Sequence, residues 1–282
     1  MTMPDTMALD TNEWTGRVGS AWAEQWRRTD RSFGQLTDRL LDPGEVGCFA
    51  HALDIGCGAG ELVQRLAETH PFFQVLGIDI SAELLDIARA RCAQLGNARF
   101  EETDAATWHA PADAKPDLLI SRHGVMFFAD PAAAFGHLRQ QSAPGAQLRF
   151  SCFRARAENG WVTALMSVLP PQPPADPTAP GPFAFGDPSR VHSILAAAGW
   201  DKIELEPFDY PMTVGEGAGS IDEALGYLQR IGPAARAMAE LPESERVLSA
   251  ERLRAILARH QKNGVVSLPA AAWIVTARAP RL

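Results

Sequence analysis

The sequence predicts an α/β protein, a doubly wound and mainly parallel sheet with helices packed on its faces. Two observations carry that expectation. From His51 to Ala277 short apolar runs alternate with longer stretches of helical periodicity, the rhythm of repeated βα units. A glycine cluster, Gly56, Gly58 and Gly60, falls between the first apolar run and the helical pattern after it, where a tight βα turn is needed. The 282 residues, 46% hydrophobic and 21% charged, suffice for a substantial core.

Residues 1–45 read as an N-terminal helical arm or lid, and 46–282 as the main domain. Ala52, Leu53 and Ile55 make a short buried strand, and Glu61 to Thr69 a helix with Leu62, Leu66 and Ala67 on one face. Val75 to Ile80 is the second strand. Ser81 caps a helix reaching about Gln94, where Gly96 and Asn97 end the element. Arg99 to Glu102 and Asp117 to Ser121 follow as strands. Pro131 suits the first turn of a helix through Gln140, and Pro144-Gly145 turns the chain into a fifth strand, Gln147 to Phe153. A helix around Trp161 to Leu169 leads into a loop over 170–188 that holds eight of the 21 prolines. Ser189 to Ala198 is helical and Lys202 to Thr213 extended. A helical insert over about 219–262, broken at Gly232-Pro233 and Pro242, precedes a last strand, Ala271 to Ala277.

Charge and cysteine usage narrow the function. The 26 Lys and Arg against 34 Asp and Glu leave a net charge of -8, which gives no broad cationic field for nucleic acid. No apolar run is long enough to span a bilayer, and Met1 to Asp10 lacks the basic head of a secretory signal, so the expectation is a cytoplasmic protein without membrane insertion. Cys48, Cys57, Cys92 and Cys152 contain no C-x-x-C pair, which points away from disulfides and from a metal site.

The segment Asp54-Ile55-Gly56-Cys57-Gly58-Ala59-Gly60 follows a strand and opens a helix, so its backbone can approach a ligand closely. A dinucleotide fold wants glycine at position 61 and a phosphate at the helix N-terminus. Glu61 stands there instead, and with Asp54 it suits a ligand bearing cationic groups and no phosphate. A nicotinamide oxidoreductase is therefore disfavoured. Asp54, Asp79 and Asp104 recur every 25 residues, one per βα unit, which places them along the carboxyl edge of the strands.

These residues, with Gly77-Ile78-Asp79-Ile80-Ser81, Thr103-Asp104-Ala105 and Pro144-Gly145, resemble the ordered motifs of class I S-adenosylmethionine-dependent methyltransferases, in the ubiquinone/menaquinone-biosynthesis-type branch. The resemblance covers about residues 50–154, with Ala146 a departure where many relatives carry a second glycine. It implies a Rossmann-like, seven-stranded, mostly parallel sheet with an antiparallel last strand, and S-adenosylmethionine as cofactor with S-adenosylhomocysteine as product. The family roles pass to Asp54, Gly56, Cys57, Gly58 and Gly60 at the methionine end, Asp79 and Ile80 at the ribose, and Asp104 and Ala105 at the adenine. Ser121, after the fourth strand, joins this cofactor set. Trp14, Arg17 and Trp22 are candidate lid residues over the cofactor, because related enzymes often carry such an arm.

Methyl transfer is an in-line displacement in which alignment and water exclusion dominate, so a catalytic base is optional. His123 is the candidate base, with a rate expected to rise through a pKa near about 6.5. Arg122 is the second catalytic candidate, to pair either with a substrate carboxylate or with a nearby acid. Phe127, Phe128, Phe153, Trp161, Phe183 and Phe185 are candidates for an aromatic substrate wall. The expected function is methyl transfer to O, N or C of a small organic molecule, with homo-oligomerisation left open. The alternative is a non-catalytic cofactor-binding or scaffold protein on the same fold.

Overall fold

The computed structural model describes residues 14–171 and 176–281, so expectations for 1–13 and 172–175 lie outside the described residues. Helices α1 (Arg17–Glu24), α2 (Trp26–Ser32), α3 (Gly34–Leu40) and α4 (Pro43–Val46) come first. The alternating units follow: β1 (His51–Ile55), α5 (Glu61–Thr69), β2 (Gln74–Asp79), α6 (Ala82–Arg91), β3 (Ala98–Glu102), β4 (Leu118–Arg122), α7 (Pro131–Gln141) and β5 (Gln147–Phe153). After α8 (Gly160–Met166) and α9 (Pro188–Ala197) comes the long β6 (Asp201–Glu216). Helices α10 (Ser220–Leu228), α11 (Pro233–Ala239) and α12 (Glu243–Arg259) separate it from β7 (Gln261–Lys262) and β8 (Val265–Arg278).

The sheet runs β3-β2-β1-β4-β5-β8-β6, with the two-residue β7 paired to β8. Strands β1 to β5 are mutually parallel, and β8 lies antiparallel between β5 and β6. The sheet is thus mostly parallel with an antiparallel last strand, as the sequence leads one to expect. Because β1 pairs β2 on one side and β4 on the other, strand order reverses there. A crevice opens at such a switch point, outside the carboxyl ends of the strands.

All seven residues of β5 are buried, including Gln147 and Arg149. The Arg149 guanidinium donates to the Leu40 and Arg39 carbonyls at 2.7 and 2.9 Å and pairs with Glu45 at 2.7 Å. It therefore caps the C-terminus of α3 and ties the N-terminal helices to the sheet. Strand β4 starts at Leu118 rather than Asp117. The Asp117 carboxylate accepts from the Ala50 and His51 amides at 2.9 Å, so it braces the start of β1 from outside the strand.

The last strand is longer than expected, beginning at Val265 rather than Ala271. Pro269 obscures its first half in the sequence. That half pairs with β6 beyond the end of β5, and Pro269, facing Pro211 in register, sits in the gap between the residues paired to β5 and those paired to β7.

Candidate active site

Three left-handed glycines shape the turn after β1: Gly56 at φ 66°, Gly58 at 52° and Gly60 at 79°. The Cys57 amide donates to the Ile78 carbonyl at 3.0 Å, which folds the loop across the end of β2. A Cβ at Gly60 would stand 2.9 Å from the Ala88 side chain, so this glycine serves the packing of α5 against α6. A Cβ at Gly58 would meet no atom within 4 Å; it would project into open space beside the loop. The Gly58 amide donates to Asp79 Oδ2 at 2.8 Å, and Asp79 Oδ1 accepts from the Ser81 amide at 2.9 Å. Burial raises the Asp79 pKa against the opposing pull of those bonds.

This loop forms one side of a cavity of about 600 Å³. Asp54, Gly56, Cys57, Gly58, Asp79, Ile80, Asp104, Ala105, Arg122 and His123 all line it, together with Trp14 and Trp22. Gly60, Ser121 and Arg17 do not. Ser121 Oγ donates to the Ile55 carbonyl at 2.6 Å and accepts from the Gly124 amide at 3.2 Å, so it fastens two loops behind the cavity wall. Arg17 is exposed on α1. Asp104 closes an Asx turn with the Ala106 amide at 2.8 Å, on the exposed rim. Trp14 stands 5.7 Å from Trp22 and meets Phe127 edge-on at 5.0 Å, so the two tryptophans form one aromatic flank.

Asp54 is 1% exposed, and neither carboxylate oxygen has a hydrogen-bond partner. Burial pushes its pKa up to about 8, against the favourable charge of Arg122. An unsatisfied acid at the foot of a ligand-sized cavity is a receptor for a cation or a hydrogen-bond donor.

Of the two partners open to Arg122, the acid is the one it takes. Its guanidinium pairs with Glu61, contacts Asp30 at 3.3 Å and donates to Thr37 Oγ1 at 2.7 Å. These acids raise its pKa although burial opposes them most. Arg91 holds the other Asp30 oxygen at 2.7 Å. Arg122 is thus a strut between α2, α3, α5 and β4. Asp30 gave no signal in the sequence, because its partner lies 92 residues away.

His123 is 6% exposed at φ 60°, stacked on Phe153 at a centroid distance of 4.0 Å and edge-on to Phe33 at 5.1 Å. Its left-handed backbone follows from its neighbour. A Cβ at Gly124 would fall 2.6 Å from the Ile55 carbonyl oxygen and 3.2 Å from Gly56 Cα, so this turn is pressed flat against the glycine loop. Burial, aided by the Arg122 charge, lowers the His123 pKa to about 3, and neither ring nitrogen has a partner. That shift runs away from the value near 6.5 expected of a free imidazole base, and burial is its first cause.

Phe127, Phe128, Phe153 and Trp161 line the cavity, whereas Phe183 and Phe185 pack behind it. Sequence reading missed Phe33, Met212, Tyr227 and Ile231, which reach the cavity from α2, β6 and the α10 region. They are ordinary apolar residues of helices and a strand, with no local motif to mark them.

A family model described as a methyltransferase domain matches residues 52–145. Trans-aconitate 2-methyltransferase from Variovorax paradoxus is 32% identical over 151 residues, 53% of each chain. Malonyl-[acyl-carrier protein] O-methyltransferase from a Paenibacillus species is 29% identical over 105 residues, 36% of this chain and 38% of its own. The chain thus spans about half or less of these relatives, and neither speaks to the ubiquinone/menaquinone-type branch. Among solved structures, phosphoethanolamine N-methyltransferase 2 from Haemonchus contortus, with S-adenosylmethionine, superposes with a TM-score of 0.57 at 14% identity, covering 97% of this chain and 60% of that one. The Bacillus subtilis YcgJ protein gives 0.56 at 16% identity, covering 89% and 98%.

Proposed function

We propose that the protein is an S-adenosylmethionine-dependent methyltransferase acting on a small organic molecule enclosed in the cavity. The observation that carries this is the unpartnered, buried Asp54 carboxyl beside a glycine loop whose Gly58 amide is fixed by Asp79. Such a floor fits a ligand with an ammonium group at one end and a ribose at the other. Asp54 would hold the ammonium, and the Asp79 oxygens, each with a second lone pair, would accept from the ribose hydroxyls. Asp104 and the Ala105 amide, which line the same cavity, would take the adenine edge. S-adenosylmethionine supplies an activated methyl group on a sulfonium centre.

The chain's own contribution is enclosure and alignment. Trp14, Trp22 and Phe127 cover one side, while His123 and Phe153 confine the acceptor on another. On transfer the acceptor's heteroatom or carbon lone pair forms the new bond to the methyl carbon. The electron pair of the broken carbon–sulfur bond would remain on sulfur, and a hydroxyl or amine acceptor would give up its proton to solvent as product leaves. His123, whose pKa burial lowers to about 3, would orient the acceptor rather than serve as its base. The V. paradoxus relative is named for trans-aconitate, a likeness that by itself does not fix the acceptor here.

Native mass spectrometry of freshly purified protein tests the reading. A retained adenosyl ligand, with S-adenosylhomocysteine accumulating on addition of acceptor mixtures, is the expected result. Protein that never retains or consumes the cofactor contradicts it.

A further inference from the structure

The acceptor side of the cavity differs from the cofactor side in charge as well as shape. Phe33, Phe153, Trp161, Met212 and Tyr227 make an apolar wall, and Phe153 and Trp161 meet at 5.2 Å. Among the described residues that line the cavity, Asp30, Asp54, Glu61, Asp79, Asp104 and Asp130 are acidic, and Arg122 is the sole Arg or Lys. That guanidinium is already engaged by Glu61 and Asp30. An anionic acceptor entering here would meet acids with no free cation among them, and would shed its hydration without a partner. Besides Asp54 and the Trp14 indole N–H on the flank, the His123 imidazole lines the cavity without a partner, and it is the one packed against Phe33 and Phe153 of the apolar wall. A neutral imidazole offers one donor and one acceptor at fixed positions, and stacking on Phe153 fixes its plane.

We propose that the acceptor is an uncharged, largely apolar molecule of ring-system size, recognised through one hydroxyl or amine by His123, and not a polycarboxylate. This rests on the methyltransferase reading above and adds the substrate class to it. His123 is then a specificity residue. Its strained backbone, held by the close approach of Gly124 to the glycine loop, sets the imidazole beside the cofactor floor, so the hydrogen-bonded group is presented there.

The test has two stages, followed by tryptophan fluorescence of the full chain. S-adenosylhomocysteine is titrated first; no binding at this stage overturns the cofactor reading itself and this inference with it. With that ligand saturating, 2-naphthol, naphthalene and trans-aconitate are titrated in turn. The proposal expects 2-naphthol to bind at least about tenfold more tightly than trans-aconitate. It also expects 2-naphthol to exceed naphthalene by roughly threefold to tenfold, the worth of one neutral hydrogen bond. In His123→Phe, which keeps the stack on Phe153, that second margin disappears while naphthalene binding holds. Tighter binding of trans-aconitate overturns the substrate class with the cofactor reading intact. A hydroxyl margin that survives in His123→Phe overturns the role of His123. The wild-type comparison decides the class even where the variant folds poorly.

Discussion

At Asp54 the demands of binding and of folding oppose each other. Its folded pKa of about 8 lies above the ~3.9 of an unfolded chain. The stability tied to this group is therefore complete below about pH 4 and is lost as pH rises through 8. Asp54→Asn should raise the melting temperature of the ligand-free protein at pH 8, by about 2–4 °C for each kcal/mol of buried-charge penalty relieved. The same variant should lose cofactor affinity; a melting temperature that falls at pH 8 would contradict the burial argument. A ligand ammonium favours the ionised acid, so binding of S-adenosylhomocysteine at pH 7 should release a proton. Binding heats should then differ between phosphate and Tris buffers for the wild type and agree for Asp54→Asn.

Asp79 and His123 carry residue-scale predictions of different kinds. Asp79→Ala removes hydrogen bonds to a charged group worth roughly 1.5–3 kcal/mol each, or about tenfold to over a hundredfold in cofactor affinity. Unchanged affinity with a normal melting curve would show that Asp79 does not hold the ribose. His123, depressed to about 3 from an ordinary 6.5, has its neutral form throughout the working range. Its contribution to stability is present above about pH 6.5 and is lost as pH falls toward 3. The wild-type rate should show no inflection near pH 6.5 that His123→Phe removes.

Among the elements, the N-terminal helices matter most, because they supply Trp14, Trp22, Asp30 and Phe33 to the cavity. Gly19 on α1 is buried, and a Cβ there would fall 2.0 Å from the Trp14 carbonyl oxygen and 2.9 Å from Ser81 Oγ. Gly19→Ala should displace Trp14 and lift α1 from the start of α6, weakening cofactor affinity by about tenfold, or 1.4 kcal/mol. A calorimetric titration showing wild-type affinity would remove α1 from the binding account. Arg149 anchors the same helices from β5. Arg149→Met should cost roughly 1.5–3 kcal/mol in denaturant unfolding, since it strips charged hydrogen bonds from the α3 carbonyls.

Across the whole molecule, what could be read in the sequence is what local chemistry specifies. Helix Glu61–Thr69 and strand Gln147–Phe153 match their expected bounds, because a glycine turn and a Pro-Gly turn punctuate them. Asp54, Asp79 and Asp104 reach one cavity as their 25-residue spacing implies. Long-range pairing left no such trace. The Asp30–Arg122–Glu61 cluster joins three distant segments, Arg149 reads as a polar break in a strand, and Pro269 masks half of β8. The His123 pKa depended on burial that a sequence cannot display.

The central claim is that an acidic glycine-loop floor selects an adenosyl ligand bearing a cation over a pyrophosphate-linked dinucleotide. Calorimetric titration of the full chain with S-adenosylmethionine, S-adenosylhomocysteine and NAD tests it directly. The account predicts that both adenosyl ligands bind at least about tenfold more tightly than NAD, and that Asp79→Ala erodes both. Tight binding of NAD, with no heat from either adenosyl ligand, would contradict it.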